Sequence, residues 1–575
     1  MKTYQGILLD IVSRREFQGE ISVENGKIVR VEEKPNSENH YILPGLVDAH
    51  VHIESSMTVP SAFARMAVAH GTVAVVSDPH EIANVMGEEG IDYMLEDARK
   101  VPLKVYFGVP SCVPATPFES SGAVLDAGAV DRLLARKDLH YLSEMMNFPG
   151  VINGLPEVTA KLESAKKYGK LVDGHAPGLR APLLRKYVEA GISTDHEAYS
   201  YEEALEKIKL GMKIQVREGS AAKNFEALHG LIDEYPDSVM LCTDDSHPDT
   251  LIYEGHIDKL VRMGLEKGLD LYNLLRAAVF NPVEHYGLEV GLLREGDPAD
   301  FIMVEDLESF RVLSTFIDGE CVYEQGKVLF RAEKSPAVNV FCRDKISVSE
   351  LRLELRPGEE DCEEDCEESC KEGCEKGFEE GCDQPGKNPM KIRVIVAGDG
   401  ELVTGQELVR PKVENGRLVS DPGRDILKLV VLSRYRNDPA RIGFIRNMGL
   451  KKGAIASSIA HDSHNIIAVG VSDEDIASAV NRLVENKGGI VVGTGDKFLD
   501  LPLEVAGLMS TRSGEEVAAR YRLLNEEAKK LGTFLKVPFM TLSFMSLLVI
   551  PELKLGDRGL FDVNKFEFVD LLVPE

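Results

Sequence analysis

The chain has 575 residues, 43% hydrophobic and 28% charged, a composition typical of soluble globular proteins. A single hydrophobic core stops growing near about 250–300 residues, so this length predicts two or three domains. The net charge of −29 argues against a nucleic-acid backbone as main partner, and because neither a long apolar run nor a signal-peptide pattern is visible, we expect a cytoplasmic protein with no membrane partner.

Short strands are predicted at two separated places, residues 1–43 and 287–335. Gly26–Val31 and Phe301–Val304 are predicted to be short strands, and Asp318-Gly319 before Cys321–Tyr323 is typical of a hairpin. We therefore expect one small β domain built from both flanks of a larger central domain.

The central domain opens on Pro44-Gly45, a turn signal, followed by an apolar strand that ends in His50-Val51-His52. Alternation along a strand places residues i and i+2 on the same face. Both imidazoles can then reach one point, and neutral imidazole is the commonest metal ligand. Two isolated histidines facing solvent would be the simpler interpretation, but further His and acid residues recur at later strand ends.

Strands and helices alternate from this point to residue 286, which predicts parallel βαβ units. Eight strands in about 230 residues fit one (β/α)₈ barrel better than a doubly wound open sheet. The predicted strands end near His52 and at Thr72–Ser77, Leu103–Val109, His140–Leu142, Lys170–Val172, Gly191–Thr194, Met212–Val216 and Val239–Cys242. The predicted helices are Ser61–His70, Val130–Arg136, Val158–Tyr168, Pro182–Glu189 and Glu202–Leu210.

In such barrels the chemistry lies at the carboxyl ends of the strands. Several of the predicted strands end in polar groups: His50 and His52, Ser143-Glu144, Asp173-Gly174-His175, Asp195-His196-Glu197 and Thr243-Asp244-Asp245. Four histidines and two acids at one barrel mouth could hold two divalent cations with a carboxylate bridging them. Two metals about 3.5–4 Å apart would bind and deprotonate a shared water.

An acidic, cysteine-rich segment at 355–390 separates the central part from the last domain. Twelve acids, two lysines and five of the nine cysteines lie between Glu359 and Cys382. The simplest interpretation is a solvated insert or linker; a thiolate metal clamp or redox-sensitive loop is the alternative.

Residues 391–575 are predicted to form a further α/β domain. Its polar run His461–Asn465 stands between two apolar runs. The run is either a capped turn or a loop that closes on the barrel mouth. A nucleophilic triad from Ser463 and His464 is disfavoured because no Gly-x-Ser-x-Gly elbow surrounds Ser463.

Several long motifs carry a resemblance to a known family. They resemble the adenine deaminases of the amidohydrolase superfamily, metal-dependent hydrolases on this barrel, and the likeness covers nearly the whole chain apart from the acidic insert. The motifs are Pro44–Ser56, Ser77–Asn84, Glu144–Val151, Asp173–Pro177, Cys242–Asp249, Ser433–Tyr435 and Ala460–Asn465.

The resemblance implies a set of site residues and partners. His50 and His52 would hold one metal with Asp244 and Glu144, and His175 and His196 would hold the second. Glu144 stands where many members of the superfamily use a carboxylated lysine as bridge. The family suggests Mn²⁺ or Fe²⁺, while the donor types also suit Zn²⁺. Adenine and water would be the partners, and a homo-oligomer, dimer or tetramer, is expected.

The expected chemistry is attack of metal-activated hydroxide on C6 of adenine, giving hypoxanthine and ammonia. Asp244 would take a proton from the nucleophile and return one to the leaving amine. Glu197 would either protonate a ring nitrogen or orient His196. The remaining candidates for contact with substrate or for support of the ligands are Glu54, Asp78, His80, Asp245, His461 and His464.

Two other functions stay open on the sequence. A cyclic-amide hydrolase of the dihydroorotase or hydantoinase type shares barrel and metals, but usually carries the lysine that Glu144 replaces. A non-catalytic metal-binding protein, led by the cysteine insert, would hold metal at the insert and none at the barrel mouth.

Overall fold

The computed structural model describes residues 1–355 and 390–574. The cysteine-rich run Glu359–Cys382, with both interpretations of it, lies outside the described residues. The chain begins with four strands of an eight-stranded sheet. In the first two of these strands the first four residues are exposed or half-buried, and most of the later residues are buried. These strands are β1 (Lys2–Asp10), β2 (Arg15–Glu24), β3 (Lys27–Glu33) and β4 (Tyr41–Pro44).

The next eight strands are short, and nearly every residue in them is buried, which is typical of parallel strands covered on both faces. They pair in parallel and in chain order, in three groups of three, two and three strands. The strands are β5 (Leu46–Val51), β6 (Thr72–Ser77), β7 (Lys104–Phe107), β8 (Leu142–Met145), β9 (Val172–Gly174), β10 (Thr194–Asp195), β11 (Lys213–Arg217) and β12 (Val239–Cys242).

Single parallel bridges connect the three groups. Val109 pairs with Leu142, Val172 with Ile192, and Val51 with Asp244. The mixed α/β content is confirmed. The strand pairing consists of three groups connected by single bridges and does not by itself confirm a closed barrel.

Helices follow the strands in this part of the chain. Several begin where the sequence provides a cap: Asp126 and Ser200 accept from the main-chain amides of Ala129 and Glu203. The helices are α1 (Pro60–Ala69), α2 (His80–Met86), α3 (Glu88–Ala98), α4 (Ala127–Leu134), α5 (Phe148–Asn153), α6 (Pro156–Lys167), α7 (Leu183–Glu189), α8 (Tyr201–Lys209), α9 (Phe225–Leu228), α10 (Gly230–Glu234), α11 (Pro248–Tyr253), α12 (Ile257–Glu266), α13 (Leu271–Leu275) and α14 (Asn281–Tyr286).

Several predicted strands stopped too early. The apolar runs that predicted β8, β9 and β10 end before Glu144, Asp173 and Asp195, but the strands themselves include these residues. The main-chain ladder continues past the last apolar side chain because backbone pairing does not depend on side-chain polarity.

The chain then returns to the first sheet through β13 (Phe301–Val304), β14 (Val312–Ile317), β15 (Glu320–Glu324) and β16 (Lys327–Val328). The strand order is β16-β15-β14-β13-β4-β1-β2-β3. Asp318 and Gly319 form the turn between β14 and β15, and both have positive φ values, 46° and 74°, as such a two-residue turn requires.

The last part of the chain is a second mixed α/β region, which contains a nine-stranded sheet and two three-stranded sheets. Its strands are β17 (Leu353–Glu354), β18 (Met390–Val396), β19 (Gly405–Val409), β20 (Lys412–Glu414), β21 (Arg417–Val419), β22 (Ile426–Leu432), β23 (Arg441–Arg446), β24 (Ala454–Ser457), β25 (Ile466–Gly470), β26 (Gly489–Thr494), β27 (Lys497–Pro502), β28 (Leu553–Gly556), β29 (Gly559–Asp562), β30 (Glu567–Phe568) and β31 (Leu572–Pro574). Its helices are α15 (Asp473–Asn486), α16 (Gly514–Leu531) and α17 (Pro538–Ser543).

One hydrophobic cluster continues from the central strands into this last part. Helix α16 packs on α11 and α1, and a Cβ added to Gly514 would lie 2.3 Å from the sulfur of Met66. Within the two described stretches, no helix combines the length and the apolar character needed to cross a membrane. The close packing brings loops of the last part onto the carboxyl ends of the central strands.

Candidate active site

The predicted metal ligands gather at the carboxyl ends of the central strands. His50 lies on β5 and Glu144 on β8. His175 and His196 directly follow β9 and β10, and Asp244 lies two residues after the end of β12. All are buried. Because the carboxyl ends of neighbouring parallel strands lie at the same edge of a sheet, residues almost two hundred positions apart become neighbours.

Glu144 lies at the centre of this group. One oxygen, Oε2, is 2.8 Å from His175 Nδ1 and 3.1 Å from His196 Nε2. The other, Oε1, is 3.3 Å from His52 Nε2 and 3.3 Å from His80 Nδ1. Burial alone would raise the pKa of the Glu144 carboxyl, but hydrogen bonds with His175, His196 and His52 hold it well below its usual range. A carboxylate placed so can bridge two cations.

Asp244 is a second carboxylate that contacts more than one histidine ring. Its Oδ1 lies 3.1 Å from His52 Nε2 and 3.5 Å from His50 Nε2, and the two Nε2 atoms are 3.2 Å apart. The φ of Asp244 is 55°, in the left-handed region that few residues other than glycine adopt. Such backbone strain recurs at functional sites, where surrounding contacts hold the residue in place.

Arg217, at the end of β11, was missed by the sequence analysis. Its guanidinium donates to Asp244 Oδ2 at 2.6 Å and to Glu197 Oε1 at 2.5 Å. The Arg217 side chain is buried, and although burial acts to raise the pKa of Glu197, Arg217 and the histidines lower it to about 2. The sequence carries a signal for this residue, since Arg217 is a polar residue at the carboxyl end of the seventh central strand.

A second polar cluster joins helix α2 to the last part of the chain. Glu81 Oε1 lies 2.7 Å from His461 Nδ1, and Glu81 Oε2 is hydrogen-bonded to His464 Nε2. The His80 ring lies between Glu144 and Glu81: its Nδ1 faces Glu144, and its Nε2 is 3.5 Å from Glu81 Oε1. Glu81 was also missed, although it follows His80 in a motif that had been singled out.

The other predicted residues divide into two sets. His80, Asp245 and His461 line a small cavity together with His52, Glu144, His175, His196, Glu197 and Asp244. His50, Glu54, Asp78 and His464 do not line this cavity. Glu54 accepts from the main-chain amide of Ile82, and burial raises the pKa of its carboxyl to about 7. Asp78 contacts His80, with Oδ2 at 3.1 Å from His80 Nδ1.

The donor atoms fit divalent cations. Three compact sets lie next to one another: His52, Asp78, His80 and Glu144; His50, His196 and Asp244; and Glu144, His175 and His196. Neutral imidazole and carboxylate are the donors that Mn, Fe and Zn accept. His50 Nδ1, His175 Nε2 and His196 Nδ1 are buried with no hydrogen-bond partner within the described residues. The other nitrogen of each ring faces Glu144 or Asp244, so contacts within the group of proposed metal ligands orient these three rings.

Two family models match the chain. The amidohydrolase family matches residues 41–322, and the adenine deaminase C-terminal domain matches residues 401–567.

Curated relatives align over the full length. An adenine deaminase of Methanosarcina mazei is 74% identical over 575 residues, covering 100% of both chains. Adenine deaminases of Parabacteroides distasonis and Borreliella burgdorferi are 48% and 44% identical, covering 99% and 98% of this chain and 98% of each relative.

Solved structures align over a little more than half of the chain. A β-aspartyl dipeptidase from Fervidobacterium islandicum AW-1 has a TM-score of 0.43 and 17% identity, covering 58% of this chain and 99% of that one. An N-acetyl-D-glucosamine-6-phosphate deacetylase from Mycobacterium smegmatis has a TM-score of 0.46 and 14% identity, covering 56% and 100%.

Proposed function

The chain belongs to the adenine deaminase family of the amidohydrolases, and from that membership we propose that it hydrolyses adenine to hypoxanthine and ammonia. The observation that carries the proposal is the contact of Glu144 with four imidazole rings in a buried pocket. A plain glutamate in this place distinguishes the site from one built on a carboxylated lysine, which disfavours the cyclic-amide alternative.

The site would hold two divalent cations, Mn²⁺ or Fe²⁺, with Zn²⁺ also suited to the donors. His50, His52 and Asp244 would bind one cation, His175 and His196 the other, and Glu144 both. Such cations lower the pKa of a water molecule so that hydroxide is available near neutral pH. His80 and Asp78 belong to an overlapping donor set, so their contact would keep Glu144 and His52 oriented.

Asp244 and Glu197 would move the protons. Water adds to C6 of adenine, and Asp244 accepts the proton that the water loses and returns one to the leaving amine. Attack on the aromatic ring also needs a proton on a ring nitrogen. Glu197, which is ionised at rest because its pKa is lowered to about 2, would take up the second proton of the attacking water and pass it to that nitrogen, or would orient His196. Arg217 contacts both carboxylates and so keeps their positions relative to each other.

The purine would lie against the polar wall formed by His80, Asp245 and His461, which line the same cavity. Glu54, Asp78 and His464 would act through these residues. The support is geometric: His464 contacts Glu81, which contacts His461, so the position of one ring depends on the other.

The scaffold proposed for this site is a closed (β/α)₈ barrel over residues 44–286. Its support is the parallel pairing of β5 to β12 in chain order and the bridge from Val51 to Asp244, which connects the last strand with the first. The flanks 1–43 and 287–335 would form the small β domain, supported by the sheet that takes four strands from each side. Residues 391–575 would form a third domain that contributes His461.

The test is ammonia release from adenine, adenosine, cytosine, guanine and dihydroorotate, with protein loaded with Mn²⁺ or Fe²⁺. We expect release from adenine alone. Turnover of dihydroorotate without turnover of adenine would refute the proposal.

A further inference from the structure

Two cavities meet at the candidate site. The catalytic cavity measures about 40 Å³ and contains the metal-ligand candidates. The outer cavity measures about 250 Å³ and is lined by residues such as Pro177, Tyr199 and Val403. Among the described residues, three side chains line both cavities, namely Glu197, Arg217 and Leu402. These three form the boundary between the cavities.

Leu402 is the one apolar member of this boundary. Glu197 and Arg217 are tied together by an ion pair of 2.5 Å, so neither is free to move alone. Leu402 makes no such contact through its side chain, which is half-buried. The space between the cavities therefore depends on the volume of the Leu402 side chain.

The main chain at Leu402 is held firmly. Lys554 Nζ donates to the carbonyl of Leu402 at 2.6 Å and to the carbonyl of Phe544 at 3.1 Å. Two residues later, the amide of Thr404 donates to the carbonyl of Pro551 at 2.9 Å. Because these bonds fix the backbone, room at the boundary is gained by moving or shortening the side chain.

The catalytic cavity is small for a base. A water molecule needs about 10–15 Å³ of such a cavity, so 40 Å³ has room for roughly three waters. A bicyclic purine is larger and must use space next to this cavity. Of the apolar residues that line the catalytic cavity, Met146 belongs to the central part of the chain, whereas Leu402, Phe544 and Leu547 belong to the last part.

We propose that Leu402 sets the size limit of the base that the site accepts, an inference that rests on the proposed deaminase function. With C6 facing Asp244 and Glu144, the N9 side of adenine points away from them and towards the residues of the last domain. A substituent on N9 then needs the outer cavity, and the Leu402 side chain closes that cavity off. Leu402 is thus a specificity-determining residue that selects the free base over N9-substituted adenines.

The experiment compares kcat/KM for adenine, 9-methyladenine and 9-ethyladenine in wild type, Leu402→Ala and Val403→Ala. Val403 lines the outer cavity alone and is the matched control. We expect Leu402→Ala to raise the ratio for 9-ethyladenine over adenine at least about tenfold, since one methylene in a tight pocket changes discrimination by about 10–200-fold. Val403→Ala should leave the ratio unchanged, and Leu402→Ile should restore it.

A ratio that stays within threefold of wild type in Leu402→Ala would overturn the proposal. Thermal unfolding shows whether Leu402→Ala is folded; if it is not, Leu402→Val takes its place with the same criterion. Calorimetric Kd values for hypoxanthine and 9-ethylhypoxanthine give a second readout that needs no turnover. If wild type releases no ammonia from adenine, the proposed function fails, while these Kd values still decide whether Leu402 limits size.

Discussion

At the scale of single residues, Glu144 accounts for most of the site. Each of its oxygens faces two imidazole rings, and such a buried carboxylate would be costly without positive partners. In the protein as proposed, two cations supply that charge. We therefore expect binding of the two cations to depend on the charge of Glu144 rather than on the shape of its side chain.

Replacing Glu144 by glutamine tests this point. Glutamine keeps the size but loses the charge, so we expect the metal content to fall from about two equivalents to one or fewer, and activity to fall by about 10²–10⁴-fold or more. Elemental analysis and ammonia release measure the two effects. His50→Ala should also lose metal, and Asp244→Asn should lose most activity while thermal unfolding stays cooperative. Near-wild-type turnover in Glu144→Gln would refute the assignment.

A second prediction concerns Lys554. Burial lowers the pKa of its ammonium to about 7, against about 10.4 in an unfolded chain. Between these values the unfolded chain binds more protons, so the wild type gains stability as pH rises through this window. Relative to Lys554→Met, the free energy of unfolding should rise by up to about 1.4 kcal/mol per pH unit above pH 7.

Denaturant unfolding of wild type and Lys554→Met at pH 7, 8 and 9 measures this difference. Lys565→Met is the matched control, since the Lys565 side chain is 54% exposed. A difference between wild type and Lys554→Met that does not change with pH would show that Lys554 keeps an ordinary pKa.

At the scale of elements, the segment 459–465 between β24 and β25 connects the last part of the chain with α2. His461 and His464 of this segment contact Glu81 of α2. The segment is itself held by Arg434, a fully buried side chain that donates to the carbonyls of Ala506 at 2.8 Å and His464 at 3.4 Å. Its position is therefore set by contacts away from the cavity.

Arg434→Met should loosen this segment without touching the proposed ligands. We expect KM for adenine to rise by about tenfold, since losing charged hydrogen bonds costs about 1.5–3 kcal/mol, while metal content stays at wild-type level. Steady-state kinetics and elemental analysis separate the two. Arg436→Met is the control, because that side chain is 58% exposed. Loss of metal in Arg434→Met would contradict this account.

At the scale of the whole molecule, the site needs both large parts of the chain. The central strands supply the proposed metal ligands, and the last part supplies Leu402, His461 and Phe544 to the same cavity. Every residue proposed to act in the site lies outside the acidic insert. A homo-oligomer, dimer or tetramer, stays a prediction that light scattering can check.

Deleting residues 359–382 should therefore leave about two metals per chain and ammonia release at wild-type level. Elemental analysis and the adenine assay measure both quantities. If the shortened protein loses its metal while His50→Ala in the full chain keeps it, the cysteines rather than the central strands hold the metal.

Much of this protein follows from local patterns. The strand–helix alternation, the His50-x-His52 pair and the polar residues near strand ends are properties of short segments, and the structure brings these side chains together at one place. Strand ends were less accurate, as Glu144 and Asp195 show, because hydrogen bonding of the backbone continues beyond the apolar residues.

The sequence by itself determined which donors are available and at which strand ends they lie, because period and spacing act over a few residues. The tertiary structure alone decided that Arg217 joins Glu197 to Asp244, that Glu81 meets His464 across 383 positions, and that Leu402 lies between two cavities. These contacts depend on how separate elements pack, and no local pattern encodes the distance between side chains on different elements.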